Sequence, residues 1–281
     1  MFKVGEKMSD HKAILLVTFG TNVTEAANSF KHLENKIRKA FPGVEVRWSY
    51  TAKSIRNNLA RQGYAVDSPI TALSKLQDEG FTRVAVQSVH VLAGQEYYDL
   101  VNVVDNMARF HGSSGKHFQS KIGKFGFHRL TLGTPLLYNF EDYQEVAEGI
   151  RSFVPENPEH ALVLVGHGSG HHAFSTYGCL NDLLRHRYSN VFLGTIEGYP
   201  SSREVKQDLS RTGIKQVTLM PLMNIAGEHA VSDLAGEQAA SWKSQLQQDY
   251  QVSVSLFGLL DMEDILNIYV KHLREAYNKI D

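Results

Sequence analysis

Short apolar runs alternate with amphipathic segments along all 281 residues, and this alternation limits the folds that the chain can adopt. Most of the apolar runs are continuous, which is typical of strands buried on both faces of a sheet. The segments between them carry apolar residues at helical spacing, so the pattern predicts an α/β fold with parallel sheets flanked by helices. The predicted strands are residues 13–19, 44–50, 83–89, 130–133, 161–167, 191–196, 216–221 and 252–257. The predicted helices are residues 23–40, 70–79, 96–109, 141–153, 173–187, 202–211, 230–248 and 261–277.

An internal repeat indicates two similar halves. Three segments of the first half recur in the same order in the second half, namely residues 13–21 at 161–169, 76–80 at 209–213, and 89–96 at 222–229. The offset shortens after the first match, which places an extra segment in the first half at about residues 56–68. We predict an N-terminal α/β half, residues 1–140, and a C-terminal α/β half, residues 141–281, each a parallel sheet flanked by helices, with an active-site cleft between them.

Composition excludes several classes of protein. Lys plus Arg number 29 and Asp plus Glu number 30, so there is no basic excess to bind nucleic acid or an anionic membrane. No apolar run approaches the ~18–20 residues of a membrane span, and the first residues lack a signal-peptide pattern, so we expect a cytoplasmic protein. Cys179 is the only cysteine, which excludes an internal disulfide, and its place in a helix predicts a buried position.

The 13 histidines are unusually many, and imidazole is the commonest metal ligand in proteins. Ligands of open parallel sheets bind beyond the carboxyl ends of the strands, and three histidines lie there: His90, His167 and His229. Seven others are predicted to be solvated surface residues: His11, His32, His111, His117, His160, His186 and His272.

Three strand ends of the second half carry potential metal ligands. His167 ends one predicted strand inside a Gly-rich loop, Glu197 follows the next strand, and His229 follows the third. Adjacent parallel strands lie about 4.8 Å apart, so these side chains can converge. Two imidazoles and a carboxylate suit a divalent first-row ion with positions left open. In the first half the repeat places Phe19 opposite His167 and Glu96 opposite His229, which gives an aromatic wall and one carboxylate.

Each of these residues also has a simpler interpretation. His167 could mark only a tight turn, and Glu197 and His229 could cap helices. A phosphate loop is disfavoured because the glycines lack G-x-G-x-x-G spacing and no Lys-Ser/Thr follows, so no nucleotide is expected. Taken together, the three ligands favour a divalent metal site, which leaves open a metal-dependent hydrolase or a non-catalytic metal- or haem-binding protein.

Four motifs make the sequence resemble the anaerobic cobalt chelatases, the sirohydrochlorin cobaltochelatases among the class II tetrapyrrole chelatases. They are G-H-G-S-G at 166–170, E-G-Y-P at 197–200, M-P-L-M-x-x-A-G-E-H-A-x-x-D-L-A-G at 220–236, and S-V-H-V-L-A-G-Q-E-Y-Y at 88–98. The resemblance runs from about residue 13 to residue 277, and the segment around His229 is its most specific part. It implies a two-half chelatase fold with a cleft and insertion of Co²⁺ into sirohydrochlorin without ATP.

The resemblance also implies roles for individual residues. His167 and His229 take the family's metal-binding and catalytic positions, Glu197 takes that of the companion metal ligand, and Glu96 that of a catalytic carboxylate from the first half. Some members bind haem through a first-half histidine, and His90 is a candidate for that position. Family members often have Pro where this chain has Ala93.

The identity of the metal and the substrate contacts stay open at this stage. Fe²⁺ or Ni²⁺ insertion into the same or a related tetrapyrrole is an alternative, because N and O ligands alone do not separate these ions from Co²⁺. Sirohydrochlorin carries several carboxylates, which Lys53, Arg56 or Arg203, or backbone N–H groups after Gly20 and Ser169, could bind. An apolar helix face could also pair copies of the chain into a homo-oligomer.

Overall fold

Two four-stranded parallel sheets form the framework of the computed structural model, which describes residues 11–109, 126–228 and 230–281, apart from the side chains of residues 24–27. The first sheet has the order β2-β1-β3-β4 and consists of β1 (His11–Thr18), β2 (Glu45–Tyr50), β3 (Phe81–Ser88) and β4 (Arg129–Gly133). The second has the order β6-β5-β7-β8 and consists of β5 (His160–Gly168), β6 (Val191–Glu197), β7 (Gln216–Pro221) and β8 (Gln251–Val254). Corresponding strands occupy the same places, so the predicted fold of two similar α/β halves is confirmed.

Helices flank both sheets. They are α1 (Thr24–Ala40), α2 (Lys53–Arg61), α3 (Pro69–Asp78), α4 (Gln95–Arg109), α5 (Phe140–Gly149), α6 (Ser175–Arg187), α7 (Ser202–Leu209), α8 (Trp242–Leu246) and α9 (Glu263–Asn278). Short 3-10 helices cover Arg151–Phe153, His172–Phe174 and Leu259–Asp261, and a π-helix covers Ala230–Leu234. Within the described ranges, no helix is both long enough and apolar enough to span a lipid bilayer.

Alternating side chains of the central strands build three hydrophobic cores. Because neighbouring residues of a strand point to opposite faces, Ile14 and Leu16 of β1 enter one core while Leu15 enters another. In β5, Leu162 and Leu164 enter the same core as Ile14 and Leu16. Val163, which lies between them, points to the opposite face and enters a third core. One core is therefore shared by the two sheets, and each sheet has a second core on its outer face.

The last helix crosses back to the first sheet. α9 follows the strands of the second sheet in sequence, yet it packs on β3 and β4 of the first. The Thr131 hydroxyl of β4 donates to the Ala276 carbonyl at 2.9 Å, and the Arg83 guanidinium of β3 donates to the Ile280 carbonyl at 2.9 Å. A division between residues 140 and 141 would separate the two sheets, but α9 packs on both sides of it, against β3 and β4 of the first half and against α5 of the second.

One helix was not predicted, and one predicted helix is wrong. The sequence did not reveal α2, which occupies part of the extra segment of the first half. The single helix predicted over residues 230–248 is instead the π-helix and the short α8, with irregular chain between them. Ser241 explains the break, because its hydroxyl donates to the Gly236 carbonyl at 2.6 Å and accepts from the Ser244 N–H at 3.1 Å. This serine caps the start of α8, so the chain turns there.

Two predictions about burial are also wrong. Cys179 is exposed on α6, whereas a buried position was predicted. His272 of α9 was predicted to lie on the surface, but only 1% of it is exposed. His111 and His117, which were assigned to the surface in the same way, lie outside the described residues.

His272 is buried because it pairs with an equally buried carboxylate of α5. The Nε2 of His272 lies 2.9 Å from Asp142 Oδ1, and it carries the hydrogen because a carboxylate only accepts. Asp142 also accepts from the Asn139 N–H at 2.7 Å and from Lys271 at 3.0 Å. Burial by itself would raise the pKa of Asp142, but the hydrogen bonds from His272, Asn139 and Lys271 lower it to about 2.

Asp142→Asn should destabilise the protein at neutral pH by about 2 kcal/mol. The folded chain stabilises the ionised form of this carboxyl more than the unfolded chain does, and the substitution removes that difference. The pKa is lower in the folded chain, so this stabilisation is complete above about pH 4 and is lost as the pH falls toward 2. Urea unfolding between pH 2 and 7 measures the effect. Glu145→Gln, which removes the more exposed partner of Lys271, should cost less than 1 kcal/mol. Equal losses in the two variants would contradict this account.

Candidate active site

The ends of β5 and β6 approach too closely for any side chain between them. Gly168 has a φ of +96°, and a Cβ built on it would lie 1.7 Å from the Glu197 carbonyl oxygen. At Gly166 a Cβ would lie 2.4 Å from the ring of Tyr177, whose hydroxyl accepts from the Gly168 N–H at 3.3 Å. Burial raises the pKa of Tyr177 to about 12, so the phenol stays neutral beneath the loop. The glycines therefore fix the loop that presents His167.

The strand register determines how the two predicted ligands of these strands are related. Gly168 pairs with Glu197, so His167 lies beside Ile196 rather than beside Glu197. Successive side chains of a strand alternate between faces, which places His167 and Glu197 on opposite faces where the strands are regular. Both side chains are exposed, and β5 leaves the regular strand conformation at Gly168. The structure places both residues at one edge of the sheet, as predicted from the sequence. Their offset by one register position could not be predicted.

His229, the third predicted ligand, lies outside the described residues, and the π-helix begins directly after it. In the parts of the chain that the structure describes, no three His, Cys, Asp or Glu side chains are grouped so as to hold a metal. The complete set of His167, Glu197 and His229 therefore stays a prediction. A π-helix is a rare element that is often found at functional sites, and this one follows a strand that the sequence predicted to end in a ligand.

Glu96 lies in the first turn of α4, at the carboxyl edge of the first sheet. Its Oε2 is 3.4 Å from the Thr51 hydroxyl, which follows β2, and 3.2 Å from His90 Nε2. The Glu96 side chain is 39% exposed, so it can reach a ligand while these two groups hold it from behind.

His90 does not fit the haem-ligand position that the resemblance suggested. Only 10% of its side chain is exposed, its Nδ1 lies 2.8 Å from the Ser88 hydroxyl, and its Nε2 faces Glu96. An axial haem ligand needs a ring nitrogen open to a large flat group, and neither nitrogen of His90 is open in this way.

A buried hydrogen-bond network ties the loop of His90 to the second half. The Asn224 side chain, which follows β7, donates to the Val89 carbonyl at 2.9 Å. The Tyr269 hydroxyl of α9 lies 2.9 Å from Asn224 Oδ1 and 3.0 Å from the His90 carbonyl. Burial raises the pKa of Tyr269, so its hydroxyl keeps the proton that it donates. The loops after β3 and β7 are thus held together at the meeting of the two halves.

Most of the exposed large hydrophobic side chains follow the carboxyl ends of strands in the sequence. Of the ten found among the described residues, eight lie within ten residues after a strand: Phe19, Tyr98, Tyr138, Phe140, Phe174, Tyr199, Val231 and Leu256. Tyr98 of the first half also stacks against His171 and His172 of the second, at 5.5 and 6.2 Å between ring centroids. Tyr98 therefore places an exposed aromatic ring of the first half against the second half.

The three predicted cations differ in availability. Arg203 is engaged by Glu204, with its Nε and Nη2 both 3.1 Å from the carboxylate. The Nε of Arg56, in the second turn of α2, is buried and has no hydrogen-bond partner in the described residues. Lys53 begins the same helix, which has no acidic residue in its first turn. The carboxyl end of β2 therefore offers the freer positive charge.

Comparison with known proteins identifies similar chains over nearly the whole length. Residues 12–278 match the model of the family described as cobalt chelatase (CbiK). A sirohydrochlorin cobaltochelatase of Nitratidesulfovibrio vulgaris is 34% identical over 273 residues, which are 96% of this chain and 92% of that protein. A sirohydrochlorin cobaltochelatase of Salmonella typhimurium is 31% identical over 95% of this chain and 97% of that protein.

Solved structures share the fold. SirB from Bacillus subtilis with Fe³⁺ aligns with a TM-score of 0.61 at 18% identity, over 95% of this chain and 96% of that chain. The sirohydrochlorin chelatase SirB from Bacillus subtilis subspecies spizizenii in complex with cobalt aligns with a TM-score of 0.58 at 15% identity, over the same fractions. At these identities the likeness supports the architecture of two α/β halves and no individual residue.

Gly168→Ala should disrupt the loop of His167. A methyl group would collide with the Glu197 carbonyl, and the positive φ would cost a further ~1–3 kcal/mol. We expect a fall of at least about 2 kcal/mol in stability or a displaced loop with at least about tenfold weaker Co²⁺ binding. Gly170→Ala is the control in the same loop, because a Cβ there meets no atom within 4 Å. Denaturant unfolding and Co²⁺ titration compare the variants, and unchanged behaviour of Gly168→Ala would refute the close approach of the two strands.

Proposed function

Since the chain belongs to the cobalt chelatase family and is a metal chelatase, we propose that it inserts Co²⁺ into sirohydrochlorin without ATP. The observation that carries this proposal is the distribution of side chains at the carboxyl edges of the two sheets. Exposed His167 and Glu197 lie on one half, and Glu96 lies on the other beside the contact between the halves. The exposed aromatic side chains around this edge suit the flat macrocycle of a tetrapyrrole.

His167, Glu197 and His229 are the proposed ligands of the incoming Co²⁺. Imidazole nitrogen and carboxylate oxygen are suitable donors for this ion, and three protein ligands leave positions open for the ring nitrogens. The exposed strand ends allow the ion to arrive from solvent and to leave with the product. The same donors accept Fe²⁺ and Ni²⁺, so the names of the two curated relatives are the ground for proposing cobalt.

Glu96 is the proposed acceptor of protons from the substrate. Metal insertion breaks two pyrrole N–H bonds, and the two protons must leave as the metal–nitrogen bonds form. A carboxylate held opposite the metal ligands can accept a proton without giving up a metal ligand. The contacts of Glu96 with Thr51 and His90 keep its carboxylate at this edge.

Lys53 and Arg56 are the proposed partners of the substrate's carboxylates. They lie at the start of α2, close in sequence to Thr51, whose side chain contacts Glu96. No acidic residue in the first turn of α2 competes with a substrate carboxylate for these two side chains. Arg203 is less suitable because Glu204 already occupies its guanidinium.

His167→Ala and His229→Ala should each lower the rate of Co²⁺ insertion by about 100-fold or more, because each removes a proposed metal ligand. The measurement is an absorbance time course of sirohydrochlorin with Co²⁺ in the absence of ATP, followed for the wild type and both variants. Parallel runs with Fe²⁺ and Ni²⁺ establish the preferred metal.

His186→Ala is the matched control, since this histidine is exposed on α6 and its ring contacts Asp182, one turn earlier in the same helix. It should convert the substrate at the wild-type rate. Wild-type conversion no faster than the protein-free reaction with every metal would contradict chelation. Near-normal rates in both ligand variants would contradict the site.

Arg56→Gln should raise the KM for sirohydrochlorin about fivefold with little change in kcat, because one charge-assisted hydrogen bond at a half-buried group is worth about 1 kcal/mol. Arg203→Gln should leave the KM within twofold of the wild type. Initial rates at varied sirohydrochlorin and saturating Co²⁺ give both constants. A larger rise in KM for Arg203→Gln than for Arg56→Gln would contradict this assignment and would place the carboxylate site at α7.

A further inference from the structure

We propose that His90 acts through Glu96 and stores the first of the two protons that the macrocycle releases. The inference rests on the proposed function, in which Glu96 receives pyrrole protons. It assigns a task to a buried histidine that the metal site does not use. One carboxylate cannot hold both protons at once, and a neighbouring imidazole supplies the second place.

The geometry places His90 directly behind Glu96. The His90 Nε2 lies 3.2 Å from Glu96 Oε2, within ion-pair distance, yet this nitrogen makes no well-formed hydrogen bond and is shielded from solvent. A buried ring nitrogen without a hydrogen bond is costly, so its position calls for a functional explanation. The Glu96 carboxyl is the titratable group that faces this nitrogen, and Thr51 contributes only a neutral hydroxyl to the carboxylate.

The Ser88 hydroxyl can form a hydrogen bond with His90 Nδ1 whether or not that nitrogen carries a hydrogen. Its hydroxyl is fully buried and lies 2.8 Å from His90 Nδ1. A hydroxyl can both donate and accept, so it can donate to an unprotonated Nδ1 or accept from Nδ1–H. When Ser88 accepts, the Nε2 lone pair faces Glu96 and can receive a proton from it. The resulting imidazolium is then stabilised by the carboxylate beside it.

The proton transfers balance in two rounds. In the first round a pyrrole N–H bond breaks, an O–H bond forms on Glu96, and that proton then moves to His90 Nε2. Glu96 returns to its carboxylate form and His90 becomes an imidazolium. In the second round the other pyrrole N–H bond breaks and Glu96 keeps the proton. The ring loses two protons as it takes up one doubly charged ion, and both protons pass to solvent after product release.

The surroundings of His90 hold it rigidly enough for this role. Its backbone carbonyl accepts from the Leu136 N–H at 2.9 Å and lies 3.0 Å from the Tyr269 hydroxyl. The Val89 carbonyl is bound by Asn224. These bonds fix the backbone of His90, and the contact of its Nδ1 with Ser88 orients the ring toward Glu96.

The test compares two substitutions of the full-length chain that keep different contacts of His90. His90→Asn retains an amide near Ser88, and His90→Gln retains an N–H donor that can reach Glu96, but neither amide accepts a proton. Each should lower the kcat for Co²⁺ insertion about tenfold and leave the KM for sirohydrochlorin within twofold. His160→Gln is the control, because His160 pairs with Thr218 at the amino end of β5 and should keep the wild-type kcat.

Glu96→Gln and the double variant His90→Gln/Glu96→Gln complete the design. If His90 acts through Glu96, the double variant should be no slower than Glu96→Gln alone. Full activity in His90→Gln would mean that the histidine only positions Glu96, which overturns the proton store. Multiplied losses in the double variant would also overturn it, because His90 would then act independently. An inactive wild type contradicts the proposed function and this inference with it, whereas an active wild type with unaffected variants contradicts this inference alone.

Discussion

The side chain of Asn224 joins the two halves at the point on which the site depends. Its amide nitrogen donates to the Val89 carbonyl, and its amide oxygen accepts from the Tyr269 hydroxyl, which also contacts the His90 carbonyl. Asn224 and Tyr269 are buried, and each buried polar group left without a partner would cost about 1–3 kcal/mol. The loop after β3 can therefore not shift relative to the loop after β7 without breaking these hydrogen bonds. Glu96 follows the first loop, and His229 follows the second.

The same scaffold carries different chemistry in its two halves. Both sheets have one strand order and share a core, and the loops after the equivalent strands β3 and β7 are bonded to each other. At equivalent positions, however, Phe19 stands where the second half has His167, and Glu96 stands where it has His229. The repeat thus supplies a symmetrical framework, and the substitutions at the strand ends divide the proposed metal ligands from the proposed proton acceptor.

The sequence predicts the framework well because hydrophobic periodicity determines it. All eight strands are present, and the candidate residues lie at strand ends or helix starts as expected wherever the structure describes them. Contacts between distant segments could not be predicted. The pairing of His272 with Asp142 joins α9 to α5 over 130 positions of chain, and nothing near either residue in sequence indicates it. The offset of His167 from Glu197 depends on which residues pair across β5 and β6, and a strand pattern does not contain that information.

A second kind of error came from treating residues one at a time. His90 was considered as a strand-end histidine by itself, but its role depends on Ser88 and Glu96, which lie next to its two ring nitrogens. The motif S-V-H-V-L-A-G-Q-E already contains all three residues, so spacing could have suggested the group. The sequence does not give the conformation of this loop, however, so the direction of the imidazole could not be predicted. The helix predicted over residues 230–248 failed for a related reason, because the cap at Ser241 is a local hydrogen bond that apolar spacing does not reveal.

Separating proton acceptors from metal ligands has a physical advantage in the proposed reaction. A histidine that binds Co²⁺ must be unprotonated, so a proton delivered to that histidine competes with the ion for the same lone pair. Protons accepted by Glu96 on the opposite half do not compete in this way. Asn224 and Tyr269 join the loops after β3 and β7, so the half that carries the proposed acceptor is bonded to the half that carries the proposed metal ligands. In the proposed reaction one half can therefore deliver the metal while the other half removes the protons one after the other.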